Sequence, residues 1–518
     1  MAKAIPQPGM PNDWRPRPRW ADIRVAWRSP AVRRGLLGTL LIALGGLSPA
    51  YLPRNIPWWG LLVTLRLTGT WGKVFGSVVT VAGLLLLVDA WFRLRPRPGA
   101  AAPLAYRHVK HWAVLVLWSL PFLIAPPIFS QDAYSYAAQG WLVHNHINPY
   151  AAGPGVLPGA YADQVSWVWR YTLTPYGPLA IQIAHVLVDV SGFQPYLSAV
   201  LMRIPALVGV ALIVTLVPRL ARAMGTDPEF AAWFATLNPL LVIDFVGGMH
   251  NDALMMGLVL LGVWIAAWGG RRSRTYWWLV GAAVIGVGAA IKQPAFLAAY
   301  AVPLIARPWR DFSRREIGIT LARVLASFVV AIGVFAGISV ATGLGFGWLN
   351  AVGVPGMAAT LAPSTIVGEI VQFFLNLAGL DPSGHMAITV AHGLFLAAGG
   401  VMIFLLAITV ARRRPITFLS YGYLSAAFFG PAMHSWYMLW SGLLLPHTRP
   451  SARVVRIAIW TTVVLLSYDA ILLAWRNNAA AVAWAATGGF WWLAHVHQSR
   501  VEVPATPTCR AAHLQIVH

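Results

Sequence analysis

Residues 74–92 read VFGSVVTVAGLLLLVDAWF, an apolar run whose one charge is Asp89. About 20 helical residues cross the roughly 30 Å hydrocarbon core of a bilayer, so the run is long enough to span it. A barrel strand would alternate apolar and polar residues, which this run does not, and a helix is the other structure that pairs every backbone group inside lipid. The runs 35–52 and 252–268 read the same way, and similar stretches fill most of the 518 residues.

Composition agrees with that reading. The chain is 58% hydrophobic and 10% charged, with mean hydropathy +0.64, whereas soluble globular domains carry about 25% charged residues. The expected class is therefore an all-α polytopic integral membrane protein. A net charge of +22 raises the question of nucleic acid. The basic residues answer it by their places: Lys3 to Arg34, Arg93 to Lys110, Arg219 and Arg222, Arg271 to Arg274, Arg307 to Arg315, Arg412 to Arg414, Arg449 to Arg456 and the tail. These groups hold about 30 of the 38 Lys and Arg and fall between apolar runs, as the positive-inside rule requires of cytoplasmic loops. No nucleic-acid partner is needed. The lone Cys509 can form neither an internal disulfide nor a cysteine-rich metal site.

With the N-terminus cytoplasmic, the runs thread through about 13–14 crossings and return the C-terminus to the same side. The first is read as a retained signal anchor, because the arm before it is too long and too rich in Pro and Arg for a cleaved signal. The expected organisation is a basic cytoplasmic arm (1–34), two spans and a basic loop (35–111), a central transmembrane module (112–447), C-terminal spans (448–496) and a cytoplasmic tail (497–518). Among the expected crossings are 229–247 and 435–446. Two long outer segments remain, 130–191 and 343–383. In the first, Tyr134, Ala138, Trp141 and Leu142 stand at helical spacing, which predicts an amphipathic helix over 132–144 lying in the membrane interface. Pro178 opens a helix to Val190 too short to cross. No duplicated half of the kind transporters carry is visible.

Few of the 16 acidic residues fall on or near the outer side: Asp132, Asp163, Asp189, Asp244, Asp252, Glu369 and Asp381. A carboxylate at the membrane boundary costs energy unless paired or solvated. Asp132, at the start of the first outer helix, is placed to act as a general base on an attacking hydroxyl. It is equally placed to cap that helix. His250-Asn251-Asp252 brings an imidazole, an amide and a carboxylate to one helix start, where a polar ligand could dock or a cap could form; no second cluster with ligand spacing makes it a metal site. A lipid phosphate leaving group needs cations, and the attractive outer ones are Arg170, Arg203 and Lys292. Each has the alternative of snorkelling to the interface. His434-Ser435-Trp436-Tyr437 can stack on a sugar or belong to an aromatic belt.

These pieces in order, Ser130-Gln131-Asp132-Ala133-Tyr134-Ser135-Tyr136, Asn148-Pro149-Tyr150, Pro175-Tyr176-Gly177-Pro178-Leu179, Asn238-Pro239, His250-Asn251-Asp252, Lys292-Gln293-Pro294 and His434-Ser435-Trp436-Tyr437, resemble the GT-C glycosyltransferases. More closely they resemble the actinobacterial polyprenol-phosphomannose-dependent α-(1→6)-mannosyltransferases of the lipomannan pathway. The resemblance covers residues from about 110 to 440. It implies a GT-C-like helix bundle in the plasma membrane with its active site on the extracytoplasmic face. It also implies a polyprenyl phosphomannose donor, a mannan or lipoglycan acceptor, and inversion to an α-(1→6) link, with Asp132 as catalytic base. Tyr134, Tyr136, Asn148, Tyr176, His250, Asn251, Asp252 and Gln293 are then expected to orient the sugars, and Arg170, Arg203, Lys292, His434, Trp436 and Tyr437 to complete the substrate site. No cofactor is implied beyond the lipid-linked donor, and Gln131 beside Asp132 argues against a metal held by an acidic pair. Three rivals remain open: a GT-C transferase for another polyprenyl-phosphate sugar, a transporter or flippase for a lipid carrier, and a noncatalytic scaffold for wall-polymer assembly in which Asp132 is a cap.

Overall fold

The computed structural model describes residues 20–96, 109–271, 276–309, 311–351, 354, 360–380 and 384–497. The start of the basic arm, residues 97–108 of the basic loop, Asp381 and the tail with Cys509 lie outside the described residues. Every regular element described is helical. Six helices are long and apolar enough to cross a membrane: Thr70–Arg93, Pro195–Met224, Asp252–Gly270, Arg314–Ala341, Met386–Thr409 and Ala452–Arg476. Pro228–Thr236 and Leu241–Gly247 form a seventh if the 57° bend between them is counted within one span. Shorter apolar helices, His111–Leu123, Pro178–Val190, Trp277–Ala289 and Gln293–Ala306, fill in around them. The chain is thus an all-α multi-pass membrane protein. The exposed Leu321, Leu325, Val329 and Ile332 line one helix of the bundle at helical spacing, a stripe that lipid rather than water would cover.

Close packing comes from small residues. Helices Pro30–Gly45 and Thr70–Arg93 meet at Gly38 and Gly83, where a Cβ on either would come within 2.7 Å of the other's carbonyl oxygen. Without a hydrophobic drive between helices inside lipid, such backbone approach supplies the contact.

Two segments differ from the sequence reading. Helix Asp132–His144 does not lie on a surface: residues 133–140 and Leu142 are buried, packed against helices Pro178–Val190 and Pro195–Leu201. Small side chains, Ala133, Ala137, Ala138 and Gly140, let those neighbours close over it. The expected crossing 435–446 is three short pieces, Ser435–Tyr437, Met438–Gly442 and Leu445–Thr448. Its side chains bond to polar groups instead of facing lipid: Ser435 donates to Asp244, Trp440 to Asp252, and the Ser420 and Ser441 hydroxyls meet at 3.1 Å. The bend near 238 follows from Pro239, which cannot continue a helix, while the Asn238 Oδ1 accepts the freed Leu240 N–H at 3.0 Å.

Candidate active site

The short pieces after His434, the break at Lys292–Pro294 and the first long loop line a cavity of about 670 Å³. Its wall includes Asp132, Tyr176, Lys292, Gln293, His434, Trp436 and Tyr437, seven of the residues expected from the sequence. Volume and lining suit a sugar-sized ligand held by a few polar groups among aromatics.

Asp132 is the first residue of its helix, and Phe129 just before it turns the chain with φ +54°. Its own N–H is accepted by the Ser130 hydroxyl at 3.1 Å. Its carboxylate turns away from the helix start toward the Tyr136 hydroxyl at 3.5 Å and the His250 Nδ1 at 3.4 Å. The geometry therefore favours a carboxylate facing the site over a helix cap. Burial pushes the Asp132 carboxyl up, but His250 first and Lys292 after it outweigh burial and hold the group below its ordinary value. It is a carboxylate at neutral pH, the form a general base needs.

His250 is delivered by Met249, a buried residue at φ +60°. Such a conformation is costly for a side chain with a Cβ and persists where its surroundings enforce it. The His250 ring stacks on Trp436 at 3.6 Å, and His434 stacks on Trp436 at 4.4 Å with parallel planes. An indole thus sits in contact with two imidazoles beside Asp132. Burial pushes His434 down to about 4, so it is neutral at pH 7 and can donate a hydrogen bond but brings no charge.

Asp252 is fully buried, and Lys292 reaches it at 3.0 Å to both oxygens. Trp440 adds a 2.7 Å bond to the same carboxylate, and the ammonium lies 4.5 Å from the centre of the Tyr437 ring. Burial works against the charge on Lys292, and Asp252 more than restores it. The break at Lys292 is held by the first loop: Gly177 N–H donates to Ile291 O at 3.0 Å and Leu179 N–H to Ala290 O at 2.9 Å. A Cβ at Gly177 would run into Ala290, so glycine is needed for this approach. Gln293 donates to Pro175 O at 3.0 Å across the same seam.

The remaining expected residues stand elsewhere. Arg203 is buried away from the cavity wall and donates to the carbonyls of Val246, Leu123 and Ala125 at 3.1, 3.0 and 2.8 Å. Its guanidinium ties two backbone segments, 123–125 and Val246, to its own helix through three carbonyls. Arg170 lies 3.7 Å from Asp163 in the loop and is not part of the wall. Asn148 donates to Leu344 O at 3.1 Å and accepts the Tyr150 N–H at 2.9 Å, holding the loop. Tyr134 is buried in a small apolar cluster, Tyr136 stands edge-on to Tyr176 at 5.0 Å behind Asp132, and Asn251 is half-buried beside Asp252.

The structure adds three residues that sequence reasoning did not single out, and Arg476, an outer cation by the threading that was not among those selected. Tyr51, Tyr468, Asp469 and Arg476 line the cavity although they lie outside the 112–447 module, and Arg476 sits 4.5 Å over the Tyr51 ring. Asp469 carried a signal: an acidic residue inside an apolar run marks a site more often than not.

Residues 32–308 match the family model described as "Alpha-(1->6)-mannopyranosyltransferase, N-terminal domain", and residues 364–487 match the "MptB C-terminal domain". The chain is similar to the alpha-(1->6)-mannopyranosyltransferase A of Mycobacterium tuberculosis, 30% identical over 450 residues that cover 83% of each chain. It is 27% identical over 446 residues to the alpha-(1->6)-mannopyranosyltransferase A of Corynebacterium glutamicum, covering 79% of this chain and 88% of that one. The alpha-(1->6)-mannopyranosyltransferase B of the same organism is 27% identical over 439 residues, covering 79% and 71%. No solved structure matches.

Proposed function

The chain belongs to the alpha-(1→6)-mannopyranosyltransferase family, and on that premise we propose that it moves mannose from polyprenyl phosphomannose to the 6-hydroxyl of a mannan acceptor. The enzyme is a membrane mannosyltransferase forming α-(1→6) links. Donor, acceptor and side extend that reading: the plasma membrane, with the cavity opening to the extracytoplasmic face and both termini in the cytoplasm.

The single observation that carries the mechanism is an ionised Asp132 on the wall of a cavity that also bears Arg476, His434 and the Trp436–Tyr437 aromatics. Asp132 takes the proton of the acceptor hydroxyl as its oxygen attacks the anomeric carbon. The bond from that carbon to the phosphate oxygen breaks on the opposite face, and polyprenyl phosphate leaves with the electron pair. His250 and Tyr136 hold the carboxylate in one orientation. Lys292, its charge matched by Asp252, serves to fix the wall rather than to supply a free cation, so the departing phosphate is assigned to Arg476 with an N–H from neutral His434. The aromatics offer faces on which sugar rings stack.

Purified protein incubated with polyprenyl phosphomannose and an α-(1→6)-mannose acceptor tests the reading. Elongated product is expected. Transfer only from another polyprenyl-phosphate sugar would move the assignment to that donor, and movement of the intact carrier without transfer would replace it with a flippase. Running the assay with and without chelator decides whether a metal takes part.

A further inference from the structure

At the end of helix Asp132–His144 opposite Asp132, three side chains with metal-binding atoms converge, and the reaction above uses none of them. His144 closes that helix, while His185 and Asp189 stand one turn apart on helix Pro178–Val190. The Nδ1 of His144 lies 2.9 Å from Asp189 Oδ1, and the Nε2 of His185 lies 3.5 Å from Asp189 Oδ2. One ligand atom from each residue falls within 4.8 Å of the others.

The geometry points to a zinc-class divalent metal site on His144, His185 and Asp189, joining the two outer-loop helices. Ligand atoms bound at about 2.0–2.1 Å in a tetrahedron stand about 3.4 Å apart, and each imidazole nitrogen already stands near that distance from one oxygen of the Asp189 carboxylate. Two imidazoles and a carboxylate suit zinc or a neighbouring transition ion; magnesium and calcium take oxygen ligands. The side chains are 33%, 23% and 45% exposed, enough for an ion to enter and for water to complete the coordination.

The surroundings orient the ligands. The His144 ring is stacked on Trp141 at 5.1 Å and leans on Phe193 at 4.5 Å. The other ring nitrogen of His185 lies 3.2 Å from the Gln182 amide. With the amide turned to offer its oxygen, Gln182 accepts the Nδ1–H and leaves Nε2 free for the metal, the usual arrangement for a ligating histidine. A bound ion would fix the far end of the helix that begins at Asp132. The site stands on its own geometry, whichever donor the active-site cavity accepts.

The test uses full-length protein in detergent, stripped with chelator and titrated with zinc alone in a calorimeter, and with cobalt(II) alone in a spectrophotometer. One zinc per chain is expected, with the visible bands of a four-coordinate cobalt site. His185→Ala and Asp189→Asn should each weaken zinc binding by about tenfold or more, while Asp132→Asn leaves it unchanged. If these variants fail to fold, the cobalt spectrum of the wild type still decides. Wild-type protein that binds no stoichiometric zinc would overturn the assignment and leave only an ion pair. So would undiminished binding in a folded Asp189→Asn chain, or binding lost in Asp132→Asn.

Discussion

The ammonium of Lys292 lies 3.0 Å from both carboxylate oxygens of Asp252, joining the start of one long helix to the break between two shorter ones 40 residues later. Both partners are largely out of solvent, with side chains 12% and 1% exposed. Removing one member of a buried pair strands the other's charge, which costs about 3–5 kcal/mol, whereas replacing both can cost little. Asp252→Ala is therefore expected to lower the melting temperature sharply in detergent, and Asp252→Leu with Lys292→Met to recover much of the loss. A double variant as unstable as the sum of its singles would show that the two groups act independently.

Arg203 separates a structural cation from a phosphate-binding one. Its three carbonyl partners are fixed by the planar, forked guanidinium, which an ammonium cannot reproduce. Arg203→Lys should destabilise the protein by about 2–4 kcal/mol, measured by thermal unfolding. The folded fraction should keep its donor KM; a raised KM with unchanged stability would return Arg203 to the substrate site.

Arg476 is the complementary case, since its guanidinium lines the cavity over Tyr51. Arg476→Ala is expected to raise the KM for the lipid-phosphate donor by about tenfold, the worth of one charge-assisted contact, and to leave melting nearly unchanged. Steady-state kinetics with the donor varied checks this, and an unaltered KM would remove Arg476 from the phosphate site.

Acid sensitivity follows from the two shifted groups. Asp132 is held below its ordinary value partly by His250, so the acidic limb of kcat/KM should lie below the usual aspartate range for this group. His250→Ala removes a contact that favours the carboxylate, which raises the Asp132 pKa and moves the limb to higher pH. For stability, a lowered Asp pKa helps above the unfolded value and that help is lost as pH falls through the folded one. His434 adds a loss between its ordinary 6.5 and about 4, because the unfolded chain takes up a proton there that the folded chain refuses. A pH–rate profile unmoved by His250→Ala would separate His250 from the base.

The helical membrane bundle was legible because apolar length leaves few other structures for such a chain. That Asp132, Tyr176, Lys292 and His434 would come together was legible as well, because polar residues at the ends of apolar runs are costly unless they meet one another or water, and all four line one cavity. The direction of the Asp132 carboxylate was not, since a cap and a base both place a carboxylate at a helix start. In the structure Ser130 accepts the Asp132 N–H while the Asp132 carboxylate faces His250. Arg203 looked like a phosphate ligand because sequence shows a cation near a helix end but not the three carbonyls it meets. Tyr468 was hidden for a different reason: within an apolar helix, spacing alone does not tell which face a cavity will claim, and only the charge of Asp469 beside it marked that face.

Replacement of Asp132 by Asn keeps the size and removes the charge, so turnover of Asp132→Asn with polyprenyl phosphomannose and a mannose acceptor tests the chemistry most directly. Transfer is expected to fall by about 10²–10⁴-fold while donor binding and the melting temperature stay near wild type. Wild-type turnover in that variant would contradict the assignment of this carboxylate as the base.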